Sequence, residues 1–383
     1  MTNHERLIKR SRIIEQRLAG NIFSTVAIDK DENIIGCGCN KLFKLPQKGY
    51  VSLHSGLVDI FAISNDSSLE YKSLTPFDYE LMPYLAFDAV SGMSRYGVKC
   101  SCYDDMIVAT LYLDGNVKVA GLCEAGEEKA SYWTDIADIL LFSEGVLGVT
   151  KSGNIKLCGS GAREYVEMQN WTNIAYVKKI SAGHGGLTSS GFVGLRKDGT
   201  LVYCGKDKDF ENHIANFKNV VSFDGYAMDE KVKEFYAVLS DGSMHSYLKG
   251  TDILPTFDGY HYKKDFLAVK YLPSGPHFIK LDGSIETMPH EEKYPEALKE
   301  AFITLTGHKY EIVYEAFRTA GSNPLASQVT GWKLFDDPDE VLRRYEGFET
   351  RSFRMNNKCL YCGGDLKGFL GKKCTVCGKK HSL

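Results

Sequence analysis

The sequence predicts a mainly β fold: a seven-bladed β-propeller with a short N-terminal helix, a helical connector and a small C-terminal segment. Three observations predict it. A β-hairpin phrase recurs about seven times along the 383 residues, its copies are spaced at propeller-blade intervals, and two Cys-x-x-Cys pairs stand near the C terminus.

The clearest copy of the hairpin phrase is GFVGLRKDGTLVYCG, in which two apolar strands flank a turn at Asp198 and Gly199. Asp-Gly tolerates the positive φ angles that a tight hairpin turn requires. With Asp or Ser as the marker, the seven turns begin at Asp31, Asp66, Asp114, Ser152, Asp198, Asp241 and Asp282. Their mean spacing of about 42 residues is typical of four-stranded propeller blades.

An apolar residue stands three positions after every marker. These residues are Ile34, Leu69, Val117, Ile155, Leu201, Met244 and Ile285. Because side chains alternate along a strand, a fixed even or odd spacing from the turn places them on one face. We therefore expect them to be buried. By the same register, Cys37, Cys158 and Cys204 are predicted to be core thiols rather than redox groups.

Two stretches carry a family resemblance: NWTNIAYVKKISAGHGGLTSSGFVGLRKDGTLVYCG from Asn170 and, less closely, YWTDIADILLFSEGVLGVTKSGNIKLCGSG from Tyr132. Over about residues 20–290 the chain resembles repeat propellers of the regulator of chromosome condensation family. The resemblance implies a propeller that presents loops to partner proteins. It does not imply nucleotide exchange, because Cys-Gly or Ala-Gly replaces the family's Trp-Gly and its Gly-Gln-Leu-Gly connection is absent.

The predicted domain boundaries lie where the sequence changes between helical and strand-like patterns. Residues 1–20 are predicted as an N-terminal helix with a loose apolar stripe, and residues 21–290 as the propeller. Blade one lacks an obvious first strand, and we expect sequence just after Asp282 to supply it. Residues 291–350 are predicted as a helical connector whose last helix is capped by Asp337 and Pro338 and runs to about Tyr345, before Gly347.

Residues 351–383 contain the strongest chemical signal, Cys359-Leu-Tyr-Cys362 and Cys374-Thr-Val-Cys377, with eleven residues between the pairs. Two such knuckles predict a tetrahedral, structural Zn²⁺ site whose four thiolates leave no position for a catalytic water. The segment resembles a zinc ribbon. His381 is a possible substitute for one cysteine, and a thioredoxin-like redox pair is disfavoured because two motifs stand in a tail.

The remaining cysteines leave one question open. Cys37 with Cys39, and Cys100 with Cys102, have a spacing that places both thiols on one strand face, so a second metal site remains an alternative.

The N-terminal twenty residues are charged throughout, and the chain has no uncharged stretch long enough to span a bilayer. We therefore expect neither a signal peptide nor a membrane span, and a cytoplasmic location.

Charge separates the C-terminal segment from the rest of the chain. Residues 351–383 carry eight basic residues and one acid, whereas the remainder has a net charge of −10. Lys372, Lys373, Lys379 and Lys380 are the predicted contacts to nucleic acid or to an acidic protein partner. The alternative is that this basic segment docks on the chain's own acidic propeller.

No phosphate-binding loop, zinc-protease motif or serine-hydrolase motif occurs, so no catalytic residue is predicted. The leading hypothesis is a non-enzymatic scaffold or regulatory subunit, whose propeller face binds an unidentified protein and whose ribbon is a second contact. Two alternatives stay open: a nucleic-acid-associated factor that docks through the ribbon, and a propeller enzyme with a site in its channel.

Overall fold

The chain is mainly β, as predicted. The computed structural model describes residues 1–381 except for 21–23, 39–40, 46–48, 56–58, 66–68, 74–96, 104–106, 122, 124–125, 143–144, 182–188, 229–230, 250–263, 273–274, 288–328, 330, 356, 361–363 and 369–370. Within these residues, twenty-five strands form eight small antiparallel sheets. No helix among them is both long and apolar enough to cross a membrane.

Seven of the sheets follow one another along the chain, and each pairs its strands in the order in which they occur. Sheet one has four described strands, and sheets two to seven have three each. The strands are β1 (Leu18–Gly20), β2 (Ser24–Ile28), β3 (Ile34–Gly38) and β4 (Lys41–Leu45); β5 (Tyr50–Ser55), β6 (Asp59–Ser64) and β7 (Leu69–Ser73); β8 (Gly97–Tyr103), β9 (Ile107–Tyr112) and β10 (Val117–Gly121); β11 (Ile136–Phe142), β12 (Gly145–Thr150) and β13 (Ile155–Cys158); β14 (Ile174–Ser181), β15 (Ser189–Arg196) and β16 (Leu201–Gly205); β17 (Val220–Met228), β18 (Lys231–Leu239) and β19 (Met244–Leu248); and β20 (Phe266–Leu272), β21 (Gly275–Lys280) and β22 (Ile285–Thr287).

The first strands of these seven sheets are neighbours in chain order. β1 contacts β5, β5 contacts β8, and the series continues through β11, β14 and β17 to β20. β20 in turn contacts β1. Adjacent sheets are therefore joined along their first strands, with the last returning to the first.

The predicted hairpin turns are present at the six markers that the structure describes; Asp66 lies outside the described residues. In all six, the residue after the marker has a positive φ, between 63° and 91°: Glu32, Gly115, Gly153, Gly199, Gly242 and Gly283. At four turns the marker's carboxylate accepts a hydrogen bond from the backbone two residues later: Asp114, Asp198, Asp241 and Asp282. The apolar residue three positions after each marker is the first residue of the next strand, and six of the seven are buried; the side chain of Leu69 is not described.

Each turn also contacts the following sheet. The carbonyl of Gly115 accepts a hydrogen bond of 2.9 Å from the N–H of Ile136, which begins β11. Equivalent bonds join the glycines of the next three turns to the starts of β14, β17 and β20. The Asp-Gly phrase therefore specifies a connection between sheets as well as a hairpin.

Sheet one differs from expectation. Its first strand is β1, which pairs with β2 directly after the N-terminal helix, so the expected strand from sequence just after Asp282 is wrong. Leu18 and Ala19 are fully buried, which allows a strand of only three residues to hold its place. Sheets seven and one are also linked by a later segment, because Leu334 N–H donates to Gly283 and the carbonyl of Lys333 accepts from Lys30.

Three α-helices complete the described chain: α1 (Asn3–Glu15), α2 (Lys208–Ile214) and α3 (Pro338–Met355). Two 3₁₀ helices, Glu127–Tyr132 and Gly161–Asn170, connect sheets three to four and four to five. α1 is capped by Thr2 and Glu5 and packs on α3, β17 and β20.

α3 begins at the predicted cap, since the Asp337 carboxylate accepts from Asp339 N–H. It continues beyond the predicted end near Tyr345, because Phe348 is buried against sheets three and four and holds the following turns in place. The helices predicted before Gly321 lie outside the described residues.

The cysteines assigned to the core occupy apolar surroundings. Cys37 and Cys204 are buried, and Cys158 is half-buried. Burial raises the pKa of Cys37 and of Cys158 to about 11, and it raises that of Cys204 further still. Such thiols stay protonated at neutral pH, which fits a packing role. Cys39 lies outside the described residues, as do the side chains of Cys100 and Cys102, so a second metal site there stays untested.

Candidate metal centre

The eighth sheet forms the ribbon at the C terminus. It consists of β23 (Leu366–Lys367), β24 (Lys372–Cys374) and β25 (Lys380–His381), which pair in that order. A bridge between Lys358 and Asp365 precedes it. These short pairings bring Cys359 close to Cys374 and Cys377.

Three of the four predicted ligands converge. The sulfur atoms of Cys359, Cys374 and Cys377 all lie within 4.8 Å of one another. Cys359 and Cys374 are buried, Cys377 is exposed, and Cys362 lies outside the described residues. The geometry places the three described thiols where one ion could bind all of them.

The spacing of the sulfurs fits such an ion. Cys359 Sγ and Cys377 Sγ are 3.6 Å apart. Tetrahedral Zn–S bonds of about 2.3 Å place two sulfurs roughly 3.8 Å apart. The backbone N–H groups of Val376 and Cys377 both point at Cys374 Sγ, at 3.3 and 3.4 Å, as donors to a thiolate would. This donor set is therefore suited to hold a metal ion.

Two neighbours shape the centre. His381 Nε2 lies 3.1 Å from Cys359 Sγ, so the histidine considered as a substitute ligand does reach the cluster. A Cβ at Gly364 would stand 2.7 Å from Val376 and 3.0 Å from Cys374 Sγ. A glycine at position 364 is thus required by the close approach of the second knuckle.

The predicted contact lysines do not form one patch. Lys372 is half-buried and donates to the side chain of Asn357, whereas Lys373, Lys379 and Lys380 are exposed. Lys373 faces Lys380 on β25 and Lys367 on β23. Because directly paired residues project to the same face, Lys367, Lys373 and Lys380 form a row across the ribbon sheet. Sequence reasoning missed Lys367, since only the register of the short hairpins brings it into the row.

The ribbon is attached to the seven-sheet body. Lys358 Nζ lies 3.2 Å from Asp114, in the turn of sheet three, and 2.9 Å from Asp365 of the ribbon. One lysine therefore joins the basic segment to an acidic turn of the body, which is the docking that the sequence left as an alternative.

A second polar cluster lies between α1 and the first strands. Glu15 is 1% exposed, and its carboxylate lies 3.0 Å from Arg12 and 2.9 Å from Lys178 on β14. Lys178 also pairs with Asp224 on β17 at 3.0 Å, and Arg12 pairs with Asp138 on β11 at 3.5 Å. α1 is thus tied by charge to sheets four and five directly, and to sheet six through Lys178.

These contacts change the acidity of the groups involved. Burial alone would raise the pKa of Glu15, but Lys178, Arg12 and a hydrogen bond from Ser222 outweigh it, so its pKa is lowered. Burial lowers the pKa of Lys270, on β20, to about 7, and the neighbouring cations add to this. Lys270 donates to the backbone carbonyls of Glu15 and Leu18 at the end of α1.

Two buried histidines lie in the described sheets. His54 lies 3.0 Å from the hydroxyl of Ser52. His277 is fully buried beside the carbonyl of Gly275, and burial lowers its pKa to about 4. His184 and His261 lie outside the described residues.

No family model matches the chain, and no curated protein matches it. Similar solved structures include yeast Prp20, an RCC1 protein, in a complex with Kap60 (14% identity, 60% of this chain and 69% of that chain, TM-score 0.42). They also include human WBSCR16 (13% identity, 65% and 78%, TM-score 0.42) and the WD40 β-propeller domain of Doa1 (12% identity, 73% and 94%, TM-score 0.42). At these identities no activity or partner passes from those proteins to this chain.

Proposed function

We propose that the chain is a non-enzymatic protein-interaction scaffold, built on a seven-bladed β-propeller with a zinc-stabilised ribbon as a second contact. The propeller is supported by the series of contacts between first strands, which returns from β20 to β1. It is supported further by the hydrogen bonds that join four successive turns to the next sheet. A ring joined in this way is a rigid platform for exposed loops.

The position of α1 is the observation that carries the proposal. The helix lies against the first strands of sheets four to seven, and its Glu15 and Arg12 are engaged by Lys178 and Asp138. The charged groups beside it are therefore committed to holding the helix. This favours a scaffold over a propeller enzyme with a site in its channel.

Zinc is proposed to be structural. Cys359, Cys362, Cys374 and Cys377 would hold it, which would link the two knuckles and fix the ribbon sheet. Four protein ligands leave no open position for a substrate or water. A cytoplasmic location accords with the free thiols at Cys158 and Cys204.

A second candidate function is docking on nucleic acid. The row formed by Lys367, Lys373 and Lys380 favours it, because like charges that face each other across strands are unfavourable until an anion neutralises them. A phosphate backbone is such an anion. Binding of this kind would weaken steeply as salt is added.

The deciding experiment is affinity purification of the full-length tagged protein from its own cells after nuclease treatment, with chemical cross-links mapped by mass spectrometry. The scaffold proposal expects one protein in near-stoichiometric amount, cross-linked to the seven-sheet body. A monomer without cross-links to another protein would overturn it. A Lys373→Gln/Lys380→Gln variant serves as the control, because it should lose nucleic acid and retain a protein bound to the body.

A further inference from the structure

A cavity of about 490 Å³ lies between α1, α3 and sheets three to five. Its walls come from segments that are far apart in sequence, including Ile8, Ile136, Tyr345 and Phe353. Leu360, which directly follows the metal-cluster residue Cys359, also lines it. Ligand cavities in proteins typically measure about 300–1,000 Å³, so this one has the size for a small organic molecule.

The greater part of the wall is apolar. α1 contributes Ile8 and Ile13, sheet four contributes Ile136, and α3 contributes Tyr345 and Phe353. Such surfaces favour the hydrocarbon part of a ligand, since its burial removes apolar area from water.

Most charged groups at the cavity are already paired. Lys9 lies 2.8 Å from Glu349, and Arg12 is held by Asp138. Glu5 is held by Thr2, whose backbone N–H is the largest cause of its lowered pKa; the N-terminal ammonium and Lys197 contribute less. These pairs leave little charge at this part of the wall.

Two lysines are different. Lys151 Nζ donates to the carbonyl of Asp114 at 3.1 Å, and Lys197 Nζ donates to the carbonyl of Lys151 at 3.0 Å. Within the described part of the chain, neither ammonium forms an ion pair with a carboxylate. Each retains donors beyond its one carbonyl contact. The two lysines thus give the cavity a positive side, which Glu5 offsets only in part at Lys197.

Tyr176 and Arg12 form the floor of the cavity. Tyr176 is 2% exposed, and the Arg12 guanidinium lies over its ring at 4.6 Å. These two side chains close the cavity on the side of the Glu15 cluster.

We propose that this cavity binds a small amphipathic organic anion. Its anionic head would lie between Lys151 and Lys197, and its apolar body against Ile8, Ile136 and the α3 side chains. This binding site is separate from the metal centre, although the two share the segment that carries Leu360.

Isothermal titration calorimetry on the full-length protein with octanoate tests the proposal, with octylammonium as the probe of equal body and opposite charge. We expect saturable binding of one octanoate, weakened by added salt because exposed charges are screened. Octylammonium should bind much more weakly. A parallel assay with phosphatidylglycerol vesicles distinguishes a free anion from a lipid surface.

Three variants sharpen the test. Lys151→Gln/Lys197→Gln should weaken octanoate binding roughly tenfold, as expected for the loss of two partly exposed ionic contacts. Ala137→Trp places a large ring at an exposed position of the wall and should abolish binding by filling the cavity. Lys156→Gln is the matched control. Lys156 lies on β13 of sheet four and also donates to a backbone carbonyl, that of Thr134, but it does not line the cavity.

The proposal is overturned if octanoate and octylammonium bind equally, if Lys156→Gln weakens binding as much as the double variant, or if only vesicles bind. It is also overturned if the wild-type protein gives no saturable heat. Thermal unfolding of each variant confirms that a loss of binding occurs in a folded protein.

Discussion

The buried carboxylate of Glu15 should contribute more to stability than any surface acid on the helices. Glu15→Gln retains the size of the side chain and removes its charge. At pH 7 the cluster then holds the cations Arg12 and Lys178 against the carboxylates of Asp138 and Asp224, with Lys270 about half protonated because its pKa is about 7. Breaking a buried ion pair by removing one partner costs about 3–5 kcal/mol, because the other charge stays buried without compensation.

The control is Glu349→Gln on α3. Glu349 pairs with Lys9 at 2.8 Å, and its side chain is 27% exposed, so solvent screens the interaction. Its loss should lower the free energy of unfolding by about 1 kcal/mol or less. The two variants make the same chemical change on two helices that pack together, and they differ in burial.

The assay is urea unfolding at pH 7, followed by the fluorescence of the three tryptophans. Adding Lys178→Met to Glu15→Gln restores the balance of charge. The loss of unfolding free energy in the double variant should therefore be smaller than the sum of the losses in the two single variants, by a coupling energy of about 1–3 kcal/mol. Equal costs for Glu15→Gln and Glu349→Gln, or additive costs in the double variant, would refute the reasoning.

The pH dependence of the free energy of unfolding tests the contribution of Glu15 in a second way. The pKa of Glu15 is lowered in the folded protein, so its contribution is fully present above the unfolded value of about 4.5. It is lost as pH falls through the lower folded value. The difference between wild type and Glu15→Gln should therefore shrink in that acidic range.

Three further outcomes are expected. Burial lowers the pKa of His277 to about 4, so as the pH falls the histidine of the unfolded state takes up a proton before that of the folded state. The free energy of unfolding should therefore fall by about 3 kcal/mol between pH 6.5 and 4. His277→Gln should lack this pH dependence. Gly194→Ala should destabilise the protein by about 1–3 kcal/mol, because the new Cβ would lie 2.8 Å from the Trp171 ring, whereas Gly347→Ala in open space on α3 should not. Chelation of metal from purified protein should expose Cys359 to alkylation, as measured by mass spectrometry; equal reactivity before and after chelation would contradict the metal assignment.

Local chemistry explains why the repeated hairpins could be read from the sequence. An Asp-Gly turn needs only its own residues to adopt a positive φ, as at Gly199 and Gly242. The buried residue three positions later follows from the alternation of a strand. Neither feature depends on distant parts of the chain.

The elements that the sequence did not predict correctly depend on contacts between residues far apart in the chain. β1 has three residues and becomes a strand only because Leu18 and Ala19 are buried between other elements. α3 passes through Gly347 because Phe348 packs on sheets three and four. Composition and spacing carry neither signal, which is why β1 was not predicted and the end of α3 was placed too early.

The same distinction between local and distant contacts separates the metal centre from the Glu15 cluster. The spacing of Cys359, Cys374 and Cys377 predicted a cluster because each knuckle is a local turn. The cluster around Glu15 could not be predicted, since its partner Lys178 lies more than a hundred residues away. On sequence alone, Glu15 is an ordinary charge near the end of a helix.

These differences indicate where the specificity of this chain resides. The repeated turns build a body that many sequences could form, and the residues outside the repeat supply its particular chemistry. α1 brings Glu15 to the first strands, α3 and α1 enclose the cavity, and Lys358 attaches the ribbon to the turn of sheet three. Leu360, next to Cys359 in the chain, lines the cavity as well, so the ribbon meets the rest of the molecule at two places: the wall of the cavity and, through Lys358, the turn of sheet three. A change in the ribbon should therefore be transmitted both to the cavity and to sheet three.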